Sequence, residues 1–271
     1  MLSCSVTSDM AWTAQTCFCG AQDRETLFAI SDRNFRSSKR EANLCRCCEC
    51  ASLFPDVFPS EATIGAAYAQ YYTDAEGGLS RFVDPFRRSY MEREAPQEGA
   101  LVDYGCGSGG YLRSLDRPNL ALFGYDRRTP RDTQGFQSID QLEDCRYDYI
   151  TLSHVIEHVH DPRSLLRTLR PALRDKGKIW LSTPDAGSFL IASFGAHARD
   201  IDFPRHRVIF SRQALAQLAH ETGFRIAWRK PPLVNTLLNL ATCLRNLGTD
   251  WRHLRPATGS APELVAVLSR A

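Results

Sequence analysis

The chain has 271 residues, a formal net charge of +2 and ten cysteines. This length suits one large hydrophobic core with a small accessory module, because single cores stop growing near about 250–300 residues. Arginines and lysines are scattered among carboxylates, which argues against a nucleic-acid or anionic-membrane partner and for a small substrate. The longest apolar runs, such as Leu190–Phe194, are too short to span a bilayer, and no basic segment followed by an apolar one opens the chain, so we expect a cytoplasmic protein without a membrane span.

Seven of the ten cysteines lie in the first fifty residues. Without a secretion signal, closely spaced cysteines indicate metal ligands more readily than disulfides. Two knuckles, one around residues 17–20 and one around residues 47–50, would bring four thiolates to a tetrahedral zinc ion. We therefore predict a zinc-ribbon-like module over residues 1–60, with the ligands Cys17, Cys19, Cys47 and Cys50. Cys45 or Cys48 could replace a member of the second pair, and free thiols without a metal are the alternative.

The rest of the chain divides into a helical segment and an alternating α/β region. Residues 61–98 have helical spacing of small and aromatic residues and are predicted to cap the next domain. Residues 99–271 alternate strands with helices, which indicates a parallel sheet with helices on both faces. The predicted strands are 100–104, 120–125, 137–139, 149–152, 178–182, 224–228 and 263–268. The predicted helices are 110–115, 162–173, 212–222 and 233–247, and we assign the leucine-rich face of the last helix to packing or to a lid over a substrate pocket rather than to a membrane element.

A glycine-rich turn follows the first strand of the α/β region, in the sequence Asp103-Tyr104-Gly105-Cys106-Gly107-Ser108-Gly109-Gly110. Glycine tolerates positive φ and leaves its backbone N–H accessible, so such a strand-to-helix turn can cradle a small polar cofactor. The loop satisfies both the dinucleotide pattern G-x-G-x-x-G and the pattern D-x-G-x-G-x-G of S-adenosylmethionine (SAM) loops. Asp126, at the end of the second strand, can accept the hydroxyls of a ribose, which NAD and SAM both contain.

Other features favour SAM. Asp103 stands two residues before the first glycine, which is usual for a SAM loop. The chain ends in a helix, a strand, a long connection and a final strand, an order that fits a sheet whose seventh strand is inserted antiparallel between the fifth and the sixth. The glycine turn is followed in order by Gly124-Tyr125-Asp126, Ser153-His154-Val155-Ile156-Glu157-His158-Val159-His160-Asp161-Pro162, Leu181-Ser182-Thr183-Pro184-Asp185 and Pro204-Arg205-His206. On these segments the chain resembles the class I SAM-dependent methyltransferases from Tyr68 to Ala271.

The resemblance implies an α/β fold with a Rossmann-like seven-stranded sheet, its last strand antiparallel, with helices on both faces and the cysteine-rich module in front. Within the class the chain is similar to a bacterial subgroup, several of whose members have a short N-terminal zinc-ribbon-like segment and many of which lie in glycan or secondary-metabolite pathways. Ala51 stands where that segment usually has glycine after its second cysteine pair.

The resemblance also implies a cofactor site. The glycine loop would present its backbone to the methionine half of SAM, Asp126 would hold the ribose, Asp140 would face the adenine amino group, and Ser153 and His154 would line the methyl-transfer side. The predicted cofactor-binding residues are Asp103, Tyr104, Gly105, Cys106, Gly107, Asp126, Asp140, Ser153 and His154. Tyr72 and Arg81 could close over the cofactor carboxylate.

The catalytic prediction rests on histidines. Methyl transfer is an in-line displacement, so the enzyme mainly aligns the nucleophile and excludes water, but a hydroxyl acceptor also needs a base. The predicted catalytic residues are His154, His206 and His158, with Asp185 as a partner. A hydrogen bond to a backbone carbonyl is the alternative role for His158. The run His154-x-x-Glu157-His158 also resembles the Glu-x-x-Glu-His metal site of quinone-biosynthesis and small-RNA 3′-end methyltransferases, with histidine in place of the first acid.

We therefore expect a methyltransferase that acts with SAM on a small molecule or a carrier-linked sugar, at oxygen, and that holds a structural zinc ion. An NAD(P)-dependent oxidoreductase and a SAM-binding scaffold without catalysis are the alternatives. The sequence predicts neither the identity of the acceptor nor the oligomeric state.

Overall fold

The computed structural model describes residues 12–36, 38–60, 63–65, 90–127, 133–249 and 251–271. Most of the segment predicted as a helical cap, including Tyr72 and Arg81, lies outside these ranges. Residues 63–65 and 90–94 are helical, as predicted for this segment. None of the helices in the described part of the chain is long and apolar enough to cross a membrane.

A seven-stranded sheet forms the main body. Its strands are β6 (Gly99–Tyr104), β7 (Leu120–Tyr125), β8 (Gln137–Ser138), β9 (Tyr147–Ser153), β10 (Leu173–Pro184), β11 (Phe224–Arg229) and β12 (Glu263–Arg270). The spatial order is β11-β12-β10-β9-β6-β7-β8, and β12 runs antiparallel to both of its neighbours. The predicted insertion of the last strand between the fifth and the sixth is confirmed.

Five of the seven strands are longer than predicted, whereas β7 has the predicted bounds and β8 ends one residue earlier. β10 begins at Leu173, and its register with β9 shifts between Leu173 and Lys178. A Cβ on Gly177, inside this bulge, would lie 2.9 Å from the carbonyl oxygen of Tyr147, so the backbones approach closely there. The polar residues of the bulge interrupt the apolar pattern, so the start of β10 was not predicted and is recognised only from its pairing with β9.

Besides the helical residues 63–65 and 90–94, the described ranges contain α1 (Gly110–Ser114), α2 (Pro162–Ala172), α3 (Phe189–Phe194), α4 (Arg212–Glu221) and α5 (Leu233–Leu247). Asp161 caps α2 by accepting hydrogen bonds from the backbone N–H groups of Arg163 and Ser164, and Pro162 occupies the first turn, where proline costs no hydrogen bond. Ser211 caps α4, as predicted. The short helix α3 was not predicted.

The N-terminal module consists of five short strands: β1 (Trp12–Ala14), β2 (Arg24–Ser31), β3 (Glu41–Cys47), β4 (Leu53–Pro55) and β5 (Val57–Pro59). β2, β3 and β4 form one antiparallel sheet, and β1 pairs with β5. The module shares a hydrophobic core with the main body, because Ile30, Leu44 and Leu53 pack in one cluster with Leu190 and Phe203.

Polar contacts join the module to the segment that carries His206. The fully buried guanidinium of Arg205 donates hydrogen bonds to Asp202 at 2.7 Å and to Asp32 at 3.0 Å. Leu53 forms an isolated β-bridge with Ile209. The module therefore helps to position His206. The division into 1–60, 61–98 and 99–271 stays a prediction.

The leucine-rich face of α5 does not pack as predicted. Leu233 and Leu237 are 71% and 57% exposed, whereas Asn235 and Asn239 are buried. The packing prediction is wrong for these leucines, because the helix turns its asparagines inward to reach buried acidic groups.

Candidate functional site

The glycine loop runs between β6 and α1 at the carboxyl end of the parallel strands. Gly105 has φ of 84°, and its N–H donates to the carbonyl of Tyr125 at 2.7 Å. A Cβ on Gly105 would lie 2.4 Å from Cγ2 of Val155. Glycine is therefore required by both backbone conformation and space, and the loop packs directly against the turn that follows β9.

Two acidic residues hold this loop. The N–H of Gly107 donates to Oδ2 of Asp126 at 2.9 Å, which brings the end of β7 against the loop. Asp103 is buried and accepts a 2.5 Å hydrogen bond from the hydroxyl of Thr151 on β9. Burial raises the pKa of Asp103 to about 6, against the lowering effect of that hydrogen bond. Asp126 thus contacts the loop directly, and Asp103 links the strand before the loop to β9; the contact of Asp126 with a ribose stays a prediction.

The other predicted cofactor residues are spread around the loop. Tyr104 stacks on Tyr125 with ring centroids 4.5 Å apart, and Cys106 is buried. Ser153 lies at the end of β9 with its hydroxyl oxygen 3.3 Å from that of Ser182. Asp140 is exposed, just beyond β8. Their contacts with SAM stay predictions.

A buried polar cluster follows β9, next to the loop. His154 has φ of 53°, and its Nδ1 lies 3.0 Å from Oε1 of Glu157 while its Nε2 lies 3.2 Å from Oε1 of Glu263. The other oxygen of Glu157 accepts from the hydroxyl of Thr183 at 3.0 Å, and the other oxygen of Glu263 accepts from Nδ2 of Asn235 at 2.8 Å. Both carboxylates are buried, so His154 is held between two anions.

The charges in this cluster follow from these contacts. Burial alone would lower the pKa of His154, but the hydrogen bonds to Glu157 and Glu263 outweigh it and raise the pKa to about 9. Burial opposes the ionisation of Glu157, yet the hydrogen bond from His154 lowers the pKa of Glu157 to about 2. At neutral pH His154 is therefore an imidazolium without a lone pair, which does not suit the predicted role of a base.

His206 and His158 each form a hydrogen bond to a backbone carbonyl. Nδ1 of His206 lies 2.8 Å from the carbonyl oxygen of Asp200, and Nδ1 of His158 lies 2.9 Å from the carbonyl oxygen of Arg205. Each Nδ1 must carry the proton to make its hydrogen bond, which leaves the lone pair on Nε2. Burial, together with the neighbouring His158, lowers the pKa of His206 to about 4. His206 is therefore neutral at neutral pH and has a lone pair on Nε2.

The same atoms could also hold a divalent cation. One carboxylate oxygen of Glu157 and one ring nitrogen each of His158 and His206 lie within 4.8 Å of one another. Histidine ligands usually donate their second N–H to a carbonyl or carboxylate, as both imidazoles do here. The residues fit a two-histidine, one-carboxylate site, of which His154 is not a member.

Asp185 has a different environment from the predicted one. Its Oδ1 accepts from the N–H of Gly187 at 2.8 Å, and its Oδ2 accepts from the hydroxyl of Ser260 at 2.6 Å. These contacts fix the turn after β10. Its predicted partnership with a histidine stays a prediction without a supporting contact among the described residues.

Sequence reasoning missed three residues of the cluster: Glu263, Asn235 and Asp200. Nδ2 of Asn239, one helical turn after Asn235, donates to Oδ1 of Asp200 at 3.2 Å. Burial and the nearby Glu263 raise the pKa of Asp200 to about 7, although Arg199 opposes this. An acidic residue at the start of an apolar strand and asparagines at helical spacing were the available signals, but neither indicates a partner about a hundred residues away.

The four predicted zinc ligands converge in the N-terminal module. Their sulfur atoms lie within 4.8 Å of one another, with Cys17 and Cys50 3.4 Å apart and Cys19 and Cys47 3.6 Å apart. A tetrahedral zinc with bonds of about 2.3 Å needs sulfur atoms roughly 3.8 Å apart, so the group fits a zinc ion. A hydrogen bond from Cys17 lowers the pKa of Cys50 to about 5 and raises that of Cys17.

The alternative ligands lie apart from this group. Cys48 is exposed, and the sulfur of Cys45 lies 3.9 Å from the hydroxyl of Thr26. Ala51 has φ of 57°, in the left-handed region that favours glycine, which explains why glycine is usual at this position in similar segments.

Comparisons with known proteins agree with this geometry. A family model described as a methyltransferase domain matches residues 75–227, more than half of the chain. A ubiquinone biosynthesis O-methyltransferase of Xanthomonas oryzae pv. oryzae is 28% identical over 199 residues, which cover 60% of this chain and 83% of that protein.

Two solved structures show the same fold. One is the 1,6-didemethyltoxoflavin-N1-methyltransferase of Burkholderia thailandensis, with a TM-score of 0.53, 11% identity and coverage of 88% of this chain and 98% of that one. The other is a chain of the complex between the Haloferax volcanii Trm112 methyltransferase activator and a methyltransferase, with a TM-score of 0.50, 14% identity and coverage of 74% and 97%. With its matched domain, SAM-type glycine loop and inserted antiparallel strand, the chain belongs to the methyltransferase domain family and is a SAM-dependent methyltransferase.

Proposed function

We propose that the chain transfers the methyl group of SAM to a hydroxyl of a small-molecule or carrier-linked sugar acceptor, with His206 as the base. The observation that favours this proposal is the lone pair on Nε2 of His206 in a buried polar cluster beside the cofactor loop. Transfer to oxygen is also supported by the relative named ubiquinone biosynthesis O-methyltransferase.

The proposed reaction divides the cluster into two roles. His206 accepts the hydroxyl proton on Nε2 as the oxygen attacks the methyl carbon, and its Nδ1–H remains bonded to the carbonyl of Asp200. His154 stays positively charged between Glu157 and Glu263 and keeps the turn after β9 packed against the loop through Val155. His154 is a positioning residue in this scheme.

A cation held by Glu157, His158 and His206 would instead act as a Lewis acid on the acceptor oxygen. Exhaustive chelation of divalent ions distinguishes the two schemes. Full activity after chelation supports His206 as the base, and loss of activity that returns with Mg²⁺ supports the cation.

We further propose that the protein works in the cytoplasm, where reduced thiols leave the four cysteines free to hold a structural zinc ion. We also propose three units, the zinc-ribbon-like module 1–60, the helical cap 61–98 and the methyltransferase domain 99–271. Zinc would tie the two cysteine knuckles together and so stabilise the module that positions His206.

The first experiment tests the cofactor. Calorimetric titration should show SAM binding that falls at least about tenfold in Asp126→Ala, because a half-buried hydrogen-bonding carboxylate would be lost. NAD(P) should not raise the melting temperature. Binding of NAD(P) with no binding of SAM would overturn the proposal.

The second experiment tests the base. The enzyme is incubated with metabolite extracts and SAM carrying a deuterated methyl group, and labelled products are identified by mass spectrometry. With an acceptor found in this way, His206→Gln should lower kcat about 100-fold or more and leave the SAM affinity within about twofold. His220→Gln, an exposed histidine on α4, is the matched control. Products methylated only on nitrogen or carbon would refute transfer to oxygen.

A further inference from the structure

Helix α5 packs Cys243 and Leu247 into the core but has three other apolar side chains on its outer side. Leu233, Leu237 and Leu244 are 71%, 57% and 39% exposed. At about 100° per residue these three side chains fall within about 40° of one another around the helix axis. They form one outward stripe, whereas the inward face contains Asn235 and Asn239.

Hydrogen bonds of the asparagines fix this orientation. Asn235 donates to Glu263 at 2.8 Å, Asn239 donates to Asp200 at 3.2 Å, and Asn246 donates to the side-chain oxygen of Asn34 at 2.9 Å. Rotating the helix to bury these leucines would remove one hydrogen-bond donor each from the buried carboxylates of Glu263 and Asp200. The exposure of the leucines is therefore built into the same contacts that organise the polar cluster.

Exposed apolar residues also follow the helix in the sequence, together with basic residues. Trp251 and Leu254, on and just after the short 3₁₀ helix that follows α5, are 58% and 40% exposed. The same stretch of sequence contains four exposed basic residues, Lys230, Arg245, Arg252 and Arg255. Between Arg229 and Glu263 the sequence has a single acidic residue, Asp250. The balanced charge of the whole chain conceals this local excess of positive charge.

We propose that this surface, formed by Leu233, Leu237, Leu244, Trp251 and Leu254 together with the four basic residues, docks on an anionic lipid bilayer. Amphipathic helices with leucine and tryptophan on one face and lysine and arginine beside it lie in the plane of the membrane interface. The helix has 15 residues and is about 22 Å long, shorter than the roughly 30 Å hydrocarbon core, so it lies on the bilayer and does not span it. The concentration of positive charge favours an anionic lipid surface over an apolar protein partner.

Docking would bring the polar cluster to the membrane surface. The outward leucines and the inward Asn235 belong to the same helix, and Asn235 contacts Glu263, which contacts His154. Vesicle binding is measured without SAM or an acceptor, so its outcome is independent of the proposed function.

The experiment is co-sedimentation of the full chain with vesicles of phosphatidylcholine alone or of equal parts phosphatidylcholine and phosphatidylglycerol. The wild type should bind the anionic vesicles at low salt, and the binding should weaken as salt rises. The double variant Leu233→Gln with Leu237→Gln should lower the apparent partition constant about tenfold or more, because two apolar side chains that insert into the membrane interface are replaced by polar ones. Arg245→Gln with Arg255→Gln should also weaken binding, with unchanged melting temperatures.

The control is the pair Arg167→Gln and Lys176→Gln, which removes the same charge at exposed positions outside this surface. It should bind vesicles like the wild type. Absence of wild-type binding to anionic vesicles, or equal loss of binding in the control pair, would overturn the proposal. A concentration-dependent dimer that Leu237→Gln dissociates, without vesicle binding, would identify the surface as a contact between two copies instead.

Discussion

Replacement of Gly105 by alanine tests the cofactor loop most directly. Gly105 has φ of 84°, and an added Cβ would lie 2.4 Å from Cγ2 of Val155. A positive φ costs a non-glycine residue about 1–2 kcal/mol, and overpacking of this kind costs about 1–3 kcal/mol. Gly105→Ala should therefore lower the free energy of unfolding by about 2–5 kcal/mol.

Gly107→Ala is the matched variant in the same loop. Its φ is 54°, and apart from its chain neighbours none of the described residues has an atom within 4 Å of the position of an added Cβ. Only the backbone term applies, so we expect a loss of about 1 kcal/mol. The added methyl would nevertheless enter the open space that SAM is proposed to occupy.

Urea denaturation and calorimetric titration with S-adenosylhomocysteine separate the two effects. Gly105→Ala should lose both stability and ligand affinity, whereas Gly107→Ala should lose affinity with little loss of stability. Val155→Ala combined with Gly105→Ala should be more stable than the sum of the single effects predicts, by about 1–2 kcal/mol, because the clash is relieved.

Two results would refute this reasoning. If Gly105→Ala destabilised the protein no more than Gly107→Ala, the close approach of Val155 would not be what requires glycine. If Gly107→Ala bound S-adenosylhomocysteine as tightly as the wild type, the open space beside the loop would not be the cofactor site.

Three further predictions concern the zinc module and the buried histidine. Cys50→Ser should reduce bound zinc to near zero by elemental analysis and lower the melting temperature, because a tetrahedral site loses one of its four ligands. Ala51→Gly should raise the free energy of unfolding of the zinc-loaded protein by about 1 kcal/mol, measured in urea, because φ is 57°. The pKa of His154 rises from 6.5 to about 9 on folding. The contribution of protonated His154 to the free energy of unfolding is therefore fully present below about pH 6.5 and is lost as the pH rises through about 9. At about 1.4 kcal/mol per pKa unit this contribution is at most about 3 kcal/mol. The side chain of His154 is 19% exposed, so solvent reduces the contribution. We expect the difference in free energy of unfolding between wild type and His154→Gln to shrink by about 2 kcal/mol from pH 6 to pH 10.

Each of these predictions has its own control. Cys48→Ser, at an exposed neighbouring cysteine, should keep its zinc, and loss of zinc there but not in Cys50→Ser would contradict the ligand set. A stability difference for His154→Gln that did not change with pH would show that the two carboxylates do not hold a proton on His154. No gain from Ala51→Gly would mean that the left-handed turn is not strained.

Local patterns determined most of the fold. Alternating apolar segments, the glycine turn and the capping residues Asp161 and Ser211 act over a few residues, so the seven strands and the inserted antiparallel strand could be predicted from the sequence. The four clustered cysteines were predictable for the same reason, since two short knuckles need only one antiparallel pairing to meet.

The chemistry of the site was decided by tertiary structure. The sequence supplies three similar histidines, but their charges depend on the partner of each nitrogen. Glu263 reaches His154 only because β12 is inserted beside β10, and a carbonyl in the segment supported by the N-terminal module fixes the tautomer of His206. The orientation of α5 was likewise decided by tertiary contacts, because its asparagines donate hydrogen bonds to buried carboxylates. The amphipathic pattern of the helix was visible in the sequence, but which side of the helix faces the protein was not.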